Sequence, residues 1–276
     1  MSVALAPKKA QALRIGQRLG KYRLKRRVAR GGFGDVFEAY DTIEGVSVAL
    51  KIPLGGVLDP SQVEDFRREV RITAKLDHPN IMPIKNADFI DGVFAIVQPL
   101  GRQSLDERIH KRMSLQTKLA FIEQMLAGLA HAHEAGIIHC DIKPENMILF
   151  GEGRLRLADF GIAKFARRTV KGSASGSVGY MAPEQAMGLP SVRSDVFSAG
   201  LVIHQILTGK LPQWPFVWPS EGWTRLRLLH PELREFVRRS LEVDTRKRFR
   251  DAVVMDKAFR KLRSKVLRYA AERRPR

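Results

Sequence analysis

The chain has 276 residues, and its 48 lysines and arginines outnumber its 29 aspartates and glutamates, which gives a formal charge of +19. With 44% apolar and 28% charged residues, the composition argues against disorder of the whole chain, and the length permits one large domain or two packed lobes. No apolar run reaches the ~18–20 residues that span a bilayer, and the N-terminal apolar stretch is too short for a secretory signal. We therefore expect no transmembrane segment. The single cysteine, Cys140, excludes an intrachain disulfide framework and fits a reducing compartment, so we expect a cytoplasmic protein.

The positive charge is concentrated at the two ends. Residues 1–30 contain ten lysines and arginines and no acid, and residues 251–276 carry a net charge of +6, so the 220 residues between them carry only +3. We therefore expect a basic N-terminal arm over 1–20 and a basic C-terminal helix or tail over 251–276. Such ends suit an acidic partner, an anionic membrane surface or nucleic acid. The plainer interpretation of the C-terminal one is a helix packed through a stripe that includes Phe259, Leu262 and Val266, with its basic face in solvent.

The first hundred residues predict a small, mostly antiparallel sheet with one helix. Strands are expected at Tyr22–Val28, 36–40, 46–52, 81–84 and 93–97, with Gly31–Gly34 as the turn between the first two. A helix is predicted after Asp59-Pro60, where Ser61 and Glu64 have the spacing of a capping box. Its apolar stripe consists of Val63, Phe66, Val70 and Ala74.

From Ser104 onward the apolar spacing is helical. A long amphipathic helix is predicted over Leu115–Ala135, and a helix that is apolar nearly all round, and so buried, is predicted over Ser194–Thr208. Between them, residues 139–185 resemble loops with short strands such as Asn146–Leu149. The fold class is therefore α+β, with a β-rich half over 21–100 and an α-rich half over 101–250.

One loop combines three chemical roles. In His139-Cys140-Asp141-Ile142-Lys143-Pro144-Glu145-Asn146, an acid can accept a proton, a lysine can face a phosphate, and an amide oxygen can ligate a hard metal. A polar surface loop would explain any one of these residues, but poorly explains all three. Four other motifs are weak evidence of function when each is taken singly. The glycines at 31–34 let backbone amides approach a phosphate. The others are Lys51 at the end of an apolar strand, Asp159-Phe160-Gly161, and Ala182-Pro183-Glu184.

Together and in this order, the motifs resemble those of the eukaryotic-type (Hanks-type) serine/threonine protein kinases, in the compact form found in bacteria. The resemblance covers residues from about Tyr22 to Phe249. It implies a bilobal kinase fold, with a small antiparallel β-sheet lobe that has one main helix and a larger, mainly helical lobe. It also implies ATP as phosphoryl donor, Mg²⁺ or Mn²⁺ as the metal, and protein substrates phosphorylated on serine or threonine.

The resemblance assigns roles to individual residues. Asp141 would accept the proton of the substrate hydroxyl, Lys143 would stabilise the transferring phosphoryl group, and Glu69 would hold Lys51 on the ATP phosphates. Asn146 and Asp159 would bind the metal. The residues expected around ATP are Val28, Gly31, Gly32, Phe33, Gly34, Val36, Ala49, Lys51, Gln98, Leu100 and Ile148.

Four further residues have structural or regulatory roles by the same resemblance. Asp195 would brace the catalytic loop from inside the helical lobe, and Glu184 would form an ion pair with Arg248. Ser177 would face Asp141 and Lys143, a role that we favour over that of an ordinary turn serine.

The sequence departs from the family pattern at two positions. Ala29 replaces the first glycine of the loop, and we expect altered loop mobility with ATP binding retained. Cys140 stands where regulated kinases carry an arginine that pairs with an activation-segment phosphate, and a thiol cannot form that pair. The chain is therefore of the non-RD type, and its activity should not depend on phosphorylation of Thr169, Ser173 or Ser175. Cys140 itself is expected to be a small packing residue.

Two other functions remain open. A pseudokinase scaffold would bind ATP and partners without catalysis, and a small-molecule phosphotransferase of kinase-like fold would share the Asp141 to Asn146 loop. The segment from Ser177 to Glu184, which resembles a polypeptide-docking segment, favours a protein kinase over the second of these. We therefore expect a serine/threonine protein kinase that also phosphorylates itself.

Overall fold

The structure is a computed structural model, and it describes residues 13–31, 34–53, 64, 67, 70–160 and 178–273. These residues form two compact units. One consists of the described residues up to Lys75 together with Met82–Gly101, and the other consists of Leu76–Ile81 and the described residues from Arg102 onward.

The first unit is built on a six-stranded antiparallel sheet in the order β1-β2-β3-β4-β6-β5. Alternate residues of neighbouring strands, such as Phe37 and Ala39 against Val48 and Leu50, are buried in one apolar cluster. The predicted antiparallel sheet is therefore confirmed. Its strands are β1 (Arg18–Leu19), β2 (Tyr22–Gly31), β3 (Gly34–Asp41), β4 (Val46–Pro53), β5 (Asn86–Ile90) and β6 (Val93–Pro99).

Two details of this sheet differ from the sequence expectation. The strand predicted over 81–84 is wrong: Ile81 makes only an isolated bridge to Leu157, and the fifth strand begins at Asn86. Pro83 has no backbone N–H to donate to a neighbouring strand, which explains why pairing is delayed. In β2 the register shifts between Leu24 and Arg26 and again between Arg27 and Ala29, so the simple inward-outward alternation does not persist.

Two segments of the first unit, its N-terminal end and the helix predicted after Pro60, are described only in part. Residues 18–19, at the end of the predicted basic arm, already pair with β2, and Leu13 packs on the apolar cluster of the sheet. Most of the predicted helix after Pro60, with Ser61, Val63 and Phe66, lies outside the described residues. Residues 70–73 are helical, and Val70 packs beside the buried Phe94 and Ile96.

The second unit is mainly helical. Its helices are α1 (Leu105–Ile109), α2 (Leu115–Glu134), α3 (Pro183–Ala186), α4 (Val192–Thr208), α5 (Trp223–Leu226), α6 (Pro231–Ser240) and α7 (Ala252–Glu272). Three short strands, β7 (Gln103–Ser104), β8 (Met147–Leu149) and β9 (Leu155–Leu157), form a second antiparallel sheet. None of the helices in the described ranges is long and apolar enough to cross a membrane.

Two helix predictions in this unit are confirmed. In α4 every residue from Ser194 to Thr208 is buried, as expected for a helix that is apolar nearly all round. In α7 Phe259, Leu262 and Val266 are buried on one stripe, while the intervening basic residues remain on the open side.

Candidate active site

The loop from His139 to Asn146 and the segment after β9 are held beside each other by the β8–β9 hairpin. Met147 pairs with Leu157 in that hairpin, so the residues just before β8 face those just after β9. The Ala158 N–H donates to the Asn146 carbonyl oxygen at 2.8 Å, which extends the pairing to the predicted metal residues. The loop from His139 to Asn146 and the motif that begins at Asp159 therefore meet in one place.

Asp141, Lys143 and Asn146 form one hydrogen-bonded cluster. The Lys143 Nζ lies 2.9 Å from Asp141 Oδ2, and the Asn146 Nδ2 donates to both Asp141 Oδ2 (2.8 Å) and the Asp141 carbonyl oxygen (2.9 Å). The Asp141 side chain keeps 19% of its surface exposed and that of Lys143 16%, so both can be reached from solvent. Since both Asn146 contacts are to acceptors, the amide is assigned with its nitrogen towards Asp141.

Asp195 fixes the backbone of this loop from inside α4. Its two carboxylate oxygens accept the N–H groups of His139 and Cys140, each at 2.8 Å. Asp195 lies in the first helical turn after the Ser191 N-cap, where the free backbone amides favour a negative charge. Cys140 has a left-handed backbone with φ of 65°, which costs free energy in a non-glycine residue, and the bonds to Asp195 hold it there.

Two histidines that the sequence interpretation did not single out complete the support. The His133 Nε2 lies 2.9 Å from Asp195 Oδ2, and its Nδ1 accepts the Ala252 N–H at the start of α7. The His139 Nε2 lies 3.0 Å from the Ala158 carbonyl oxygen, and its Nδ1 accepts the Asp141 N–H. Because a backbone N–H can only donate, both rings are assigned the tautomer with the proton on Nε2. The sequence feature that could have indicated His133 is its position on the apolar stripe of α2, seven residues after Leu126, where a polar residue is unexpected.

The segment Ala182 to Gln185 approaches the same loop. The Gln185 Nε2 donates to the Cys140 carbonyl oxygen at 2.6 Å, a contact that the sequence did not suggest. The neighbouring Glu184, expected to pair with Arg248, lies with its Oε1 2.7 Å from the Arg248 Nη1 and also accepts the Ser194 hydroxyl. Cys140 is buried, as expected of a packing residue.

Burial and hydrogen bonding act in opposite directions on Glu184. Burial alone would raise the pKa of this carboxyl, but hydrogen bonds from Arg248 and Ser194 outweigh it, so the pKa lies below its ordinary value. Glu145, inside the catalytic loop, has its pKa raised, chiefly because burial disfavours the charged form.

The first unit places several expected ATP residues on one face of its sheet. Lys51 is buried on β4 and lies opposite Val36 of β3 and Ile96 of β6, and Ala49 lies opposite Gln98. Gly31 and Gly34 pair directly at the end of the β2–β3 hairpin. Val28 is 43% exposed at a bulge of β2, Leu100 follows β6 in a half-buried position, and Ile148 lies half-buried on β8 in the second unit.

Some expected residues cannot be placed. Gly32, Phe33, Glu69 and Ser177 lie outside the described residues, as do Thr169, Ser173 and Ser175. Their roles stay predictions.

The donor set near Asn146 and Asp159 fits a hard metal ion. The Asn146 amide oxygen and the Asp159 carboxylate are oxygen ligands of the kind Mg²⁺ prefers, and the Ala158–Asn146 hydrogen bond keeps their backbones adjacent. Within the described part of the chain, no group of three histidine, cysteine, aspartate or glutamate side chains is arranged to hold a metal.

Comparison with known proteins agrees with this geometry. The family described as "Protein kinase domain" matches residues 22–275. The serine/threonine-protein kinase PrkC of Bacillus subtilis is 36% identical over 207 residues, which are 72% of this chain and 32% of PrkC. The serine/threonine-protein kinase PknA of Mycobacterium tuberculosis is 37% identical over 213 residues, which are 72% of this chain and 49% of PknA.

The chain thus spans about a third to a half of the length of these relatives. Among solved structures, the PknI kinase domain of Mycobacterium tuberculosis shares the fold with a TM-score of 0.71 at 23% identity, covering 92% of this chain and 100% of that domain. The expected α+β kinase fold is therefore confirmed, and the chain belongs to the Hanks-type serine/threonine protein kinase family.

Proposed function

We propose that the chain transfers the γ-phosphoryl group of ATP to serine and threonine hydroxyls of protein substrates, and to its own chain. The observation that carries this proposal is the Asp141 carboxylate, which is bonded by Lys143 and Asn146 on a loop braced by Asp195. Membership of the serine/threonine kinase family supports the same reaction. We also propose a cytoplasmic location, because the single buried thiol fits a reducing compartment.

The geometry suggests how this chain's own residues would act. Asp141 would accept the proton of the attacking hydroxyl, and the bond from Asn146 keeps the carboxylate in one orientation. The Lys143 ammonium, 2.9 Å away, would place positive charge beside the transferring phosphoryl group. By the family resemblance, Lys51, paired with Glu69, and the glycines at 31–34 would hold the phosphates of ATP.

The metal would be held by Asn146 and Asp159. When bound together with ATP, Mg²⁺ or Mn²⁺ neutralises the charge of the phosphates. Phosphate oxygens of ATP and water would complete the coordination.

Replacing Asp141 by asparagine tests the reaction. We expect the rate of ³²P transfer from ATP to a generic basic protein, and to the chain itself, to fall by a factor of about 10²–10⁴, since a positioned base is lost. Asp244→Asn, at an acid of the same unit that pairs with exposed Arg246, is the matched control. ATP affinity, measured separately, should be retained.

Other results would favour the alternatives. Full transfer by the Asp141→Asn variant contradicts the proposed base. No transfer by the wild type to any protein, with ATP still bound, favours the scaffold. Transfer only to small hydroxylated compounds favours the phosphotransferase of kinase-like fold.

We further propose that activity does not require phosphorylation of the activation segment. Cys140 takes the position of the phosphate-pairing arginine, and its backbone is already held by Asp195 and Gln185. The dephosphorylated triple variant Thr169→Ala/Ser173→Ala/Ser175→Ala should therefore keep its rate within a few-fold of the wild type. A near-complete loss of rate would overturn this view.

A further inference from the structure

The sheet of the first unit carries a row of polar side chains on the face that points away from its apolar core. The strand registers place Arg18 opposite Arg23, Arg23 opposite Tyr40, and Tyr40 opposite Ser47. Residues directly opposite each other point to the same face, and their neighbour Leu19 is buried on the other. The row crosses four strands and is about 14 Å long at ~4.8 Å per strand.

Two cations lie over the Tyr40 ring, and a third lies at the end of this row. The Arg23 guanidinium lies 6.0 Å from the centre of the Tyr40 ring and the Lys25 Nζ lies 4.9 Å from it. Lys25 also reaches the Ser47 hydroxyl at 3.3 Å, and Arg18 reaches the Thr42 hydroxyl at 3.5 Å. We call Arg18, Arg23 and Lys25 the basic row.

Among the described residues, no acid pairs with the basic row. Nearby cations are paired, since Lys21 lies 2.7 Å from Asp41 and Arg26 lies 2.7 Å from Glu38. By contrast, no carboxylate of the described residues lies within 4.0 Å of the three cations of the basic row, and all three are exposed.

The positions of the cations in the basic row are unfavourable for the stability of the sheet. Like charges directly across a strand pair destabilise it, and Arg18 and Arg23 stand in that relation. The β1–β2 turn cannot simply swing away, because the Gly20 N–H donates to Asp91 Oδ2 at 2.8 Å. An anionic surface laid against the basic row would remove the repulsion.

Two exposed isoleucines lie next along the chain to residues that bond to the strands of the basic row. Ile43, which is 78% exposed, follows Thr42, the hydroxyl partner of Arg18. Ile15, which is 58% exposed, precedes Gly16, whose N–H donates to the carbonyl oxygen of Leu24 beside Arg23. Aliphatic side chains next to unpaired cations suit a bilayer interface, where headgroups take the charge and the acyl boundary takes the aliphatic groups. A nucleic acid offers phosphates and base faces, but it has no aliphatic layer in which an isoleucine side chain could be buried.

We propose that the basic row, with Ile15 and Ile43, docks the first unit on an anionic membrane surface. The expected ATP residue Val36 lies four residues from Tyr40 along β3, or about 13 Å at 3.3 Å per residue. Docking therefore uses side chains separate from those assigned to phosphoryl transfer, and it can be measured without ATP.

Vesicle co-sedimentation of the full chain tests the proposal. The probes are vesicles of phosphatidylcholine alone, vesicles of phosphatidylcholine with about a third phosphatidylglycerol, and a short DNA duplex for comparison. We expect binding to the anionic vesicles and little to the neutral ones, with affinity falling as salt is added.

Three variants separate the contributions. Arg18→Gln/Arg23→Gln/Lys25→Gln should weaken binding to anionic vesicles about fivefold per cation, and so on the order of 100-fold in total. Arg227→Gln/Lys247→Gln/Lys261→Gln removes three exposed cations of the second unit, so both triple variants lower the charge from +19 to +16, and this control should bind within a few-fold of the wild type. Ile15→Ser/Ile43→Ser should weaken vesicle binding while leaving duplex binding unchanged.

Each outcome decides the matter. Equal losses in the two triple variants would mean that net charge alone attracts the vesicles, and the basic row would have no special role. Tighter binding to the duplex than to anionic vesicles, insensitive to the isoleucine changes, would assign the surface to nucleic acid. No binding to either probe would also overturn the proposal. Circular dichroism melting of every variant keeps misfolding apart from loss of docking, and phosphoryl transfer in solution should stay unchanged.

Discussion

Among single residues, Glu184 shows how a charge is kept inside the second unit. Its carboxylate receives two parallel hydrogen bonds from Arg248, at 2.7 and 3.0 Å, and one from the Ser194 hydroxyl. The Arg248 side chain is fully buried, so the pair is shielded from solvent, unlike an exposed ion pair. The bonds therefore hold the charged form of Glu184 despite the cost of burial.

The first prediction concerns the pH dependence of this pair. The pKa of Glu184 is lowered from 4.5, so the folded state binds fewer protons than the unfolded state, and the stability from this group is present above about pH 4.5 and lost as the pH falls through the folded-state pKa. The melting temperature of Glu184→Gln should lie well below that of the wild type at pH 7, and the difference should shrink below pH 4.5. Glu235→Gln, at an exposed pair with Arg238, is the control and should change little. A difference that does not vary with pH would contradict this.

A second prediction follows from the contact between Gln185 and the Cys140 carbonyl. Gln185→Leu keeps most of the buried volume but removes this donor, so we expect a loss of about 1–3 kcal/mol in the free energy of unfolding. Urea denaturation measures it, with the exposed Gln213→Leu as a control that should change little. Unchanged stability of Gln185→Leu would mean that the contact contributes nothing.

Among the secondary-structure elements, α2 depends on one glycine where another segment crosses it. A Cβ atom at Gly128 would lie 2.7 Å from the Asn80 carbonyl oxygen. That oxygen also accepts the Leu157 N–H at 2.8 Å, while the Asn80 side chain donates to the Leu155 carbonyl oxygen. The segment at Asn80 is thus fixed to β9 and cannot easily retreat from the helix.

The third prediction is that Gly128→Ala destabilises the protein, although alanine is the better helix former by about 1 kcal/mol. Overpacking against a fixed backbone atom typically costs about 1–3 kcal/mol, so the net sign should be unfavourable. Chemical denaturation of Gly128→Ala, with Gly128→Ser as a larger probe expected to be worse, checks it. A gain in stability for the alanine variant would show that Asn80 gives way.

The elements differ in how far their sequence pattern reveals them. The buried helix α4 and the stripe of α7 followed from apolar spacing alone, because local periodicity decides which face is covered. The strand expected at 81–84 failed because Pro83 interrupts a short apolar run. His133 and Gln185 escaped notice because their partners Asp195 and Cys140 lie 62 and 45 residues away along the chain, and spacing carries no information about such contacts.

Over the whole molecule, the charge of +19 is too large to be balanced by internal pairing. Exposed pairs such as Lys265 with Glu232 do occur, but cations outnumber acids by 48 to 29. A compact state of such net charge is destabilised by its own repulsion, which dissolved ions screen over about 10 Å at 0.1 M.

The fourth prediction is that moderate salt stabilises the protein. The melting temperature should rise between low salt and about 0.2 M NaCl, because screening of the surplus cations outweighs the weakening of exposed ion pairs. The rise should be smaller in Arg227→Gln/Lys247→Gln/Lys261→Gln, which carries three fewer positive charges. A fall of the wild-type melting temperature would show that the attractive pairs dominate.

Cys140 makes the candidate active site measurable from within. It is the only cysteine of the chain, it is 7% exposed, and it lies immediately before Asp141. Burial slows the reaction of this thiol with a reagent, so the reaction rate, compared with the rate of global unfolding, tells whether the loop opens locally. Labelling kinetics of the unmodified protein thus measure the opening of the loop that carries Asp141, and no engineered probe is needed.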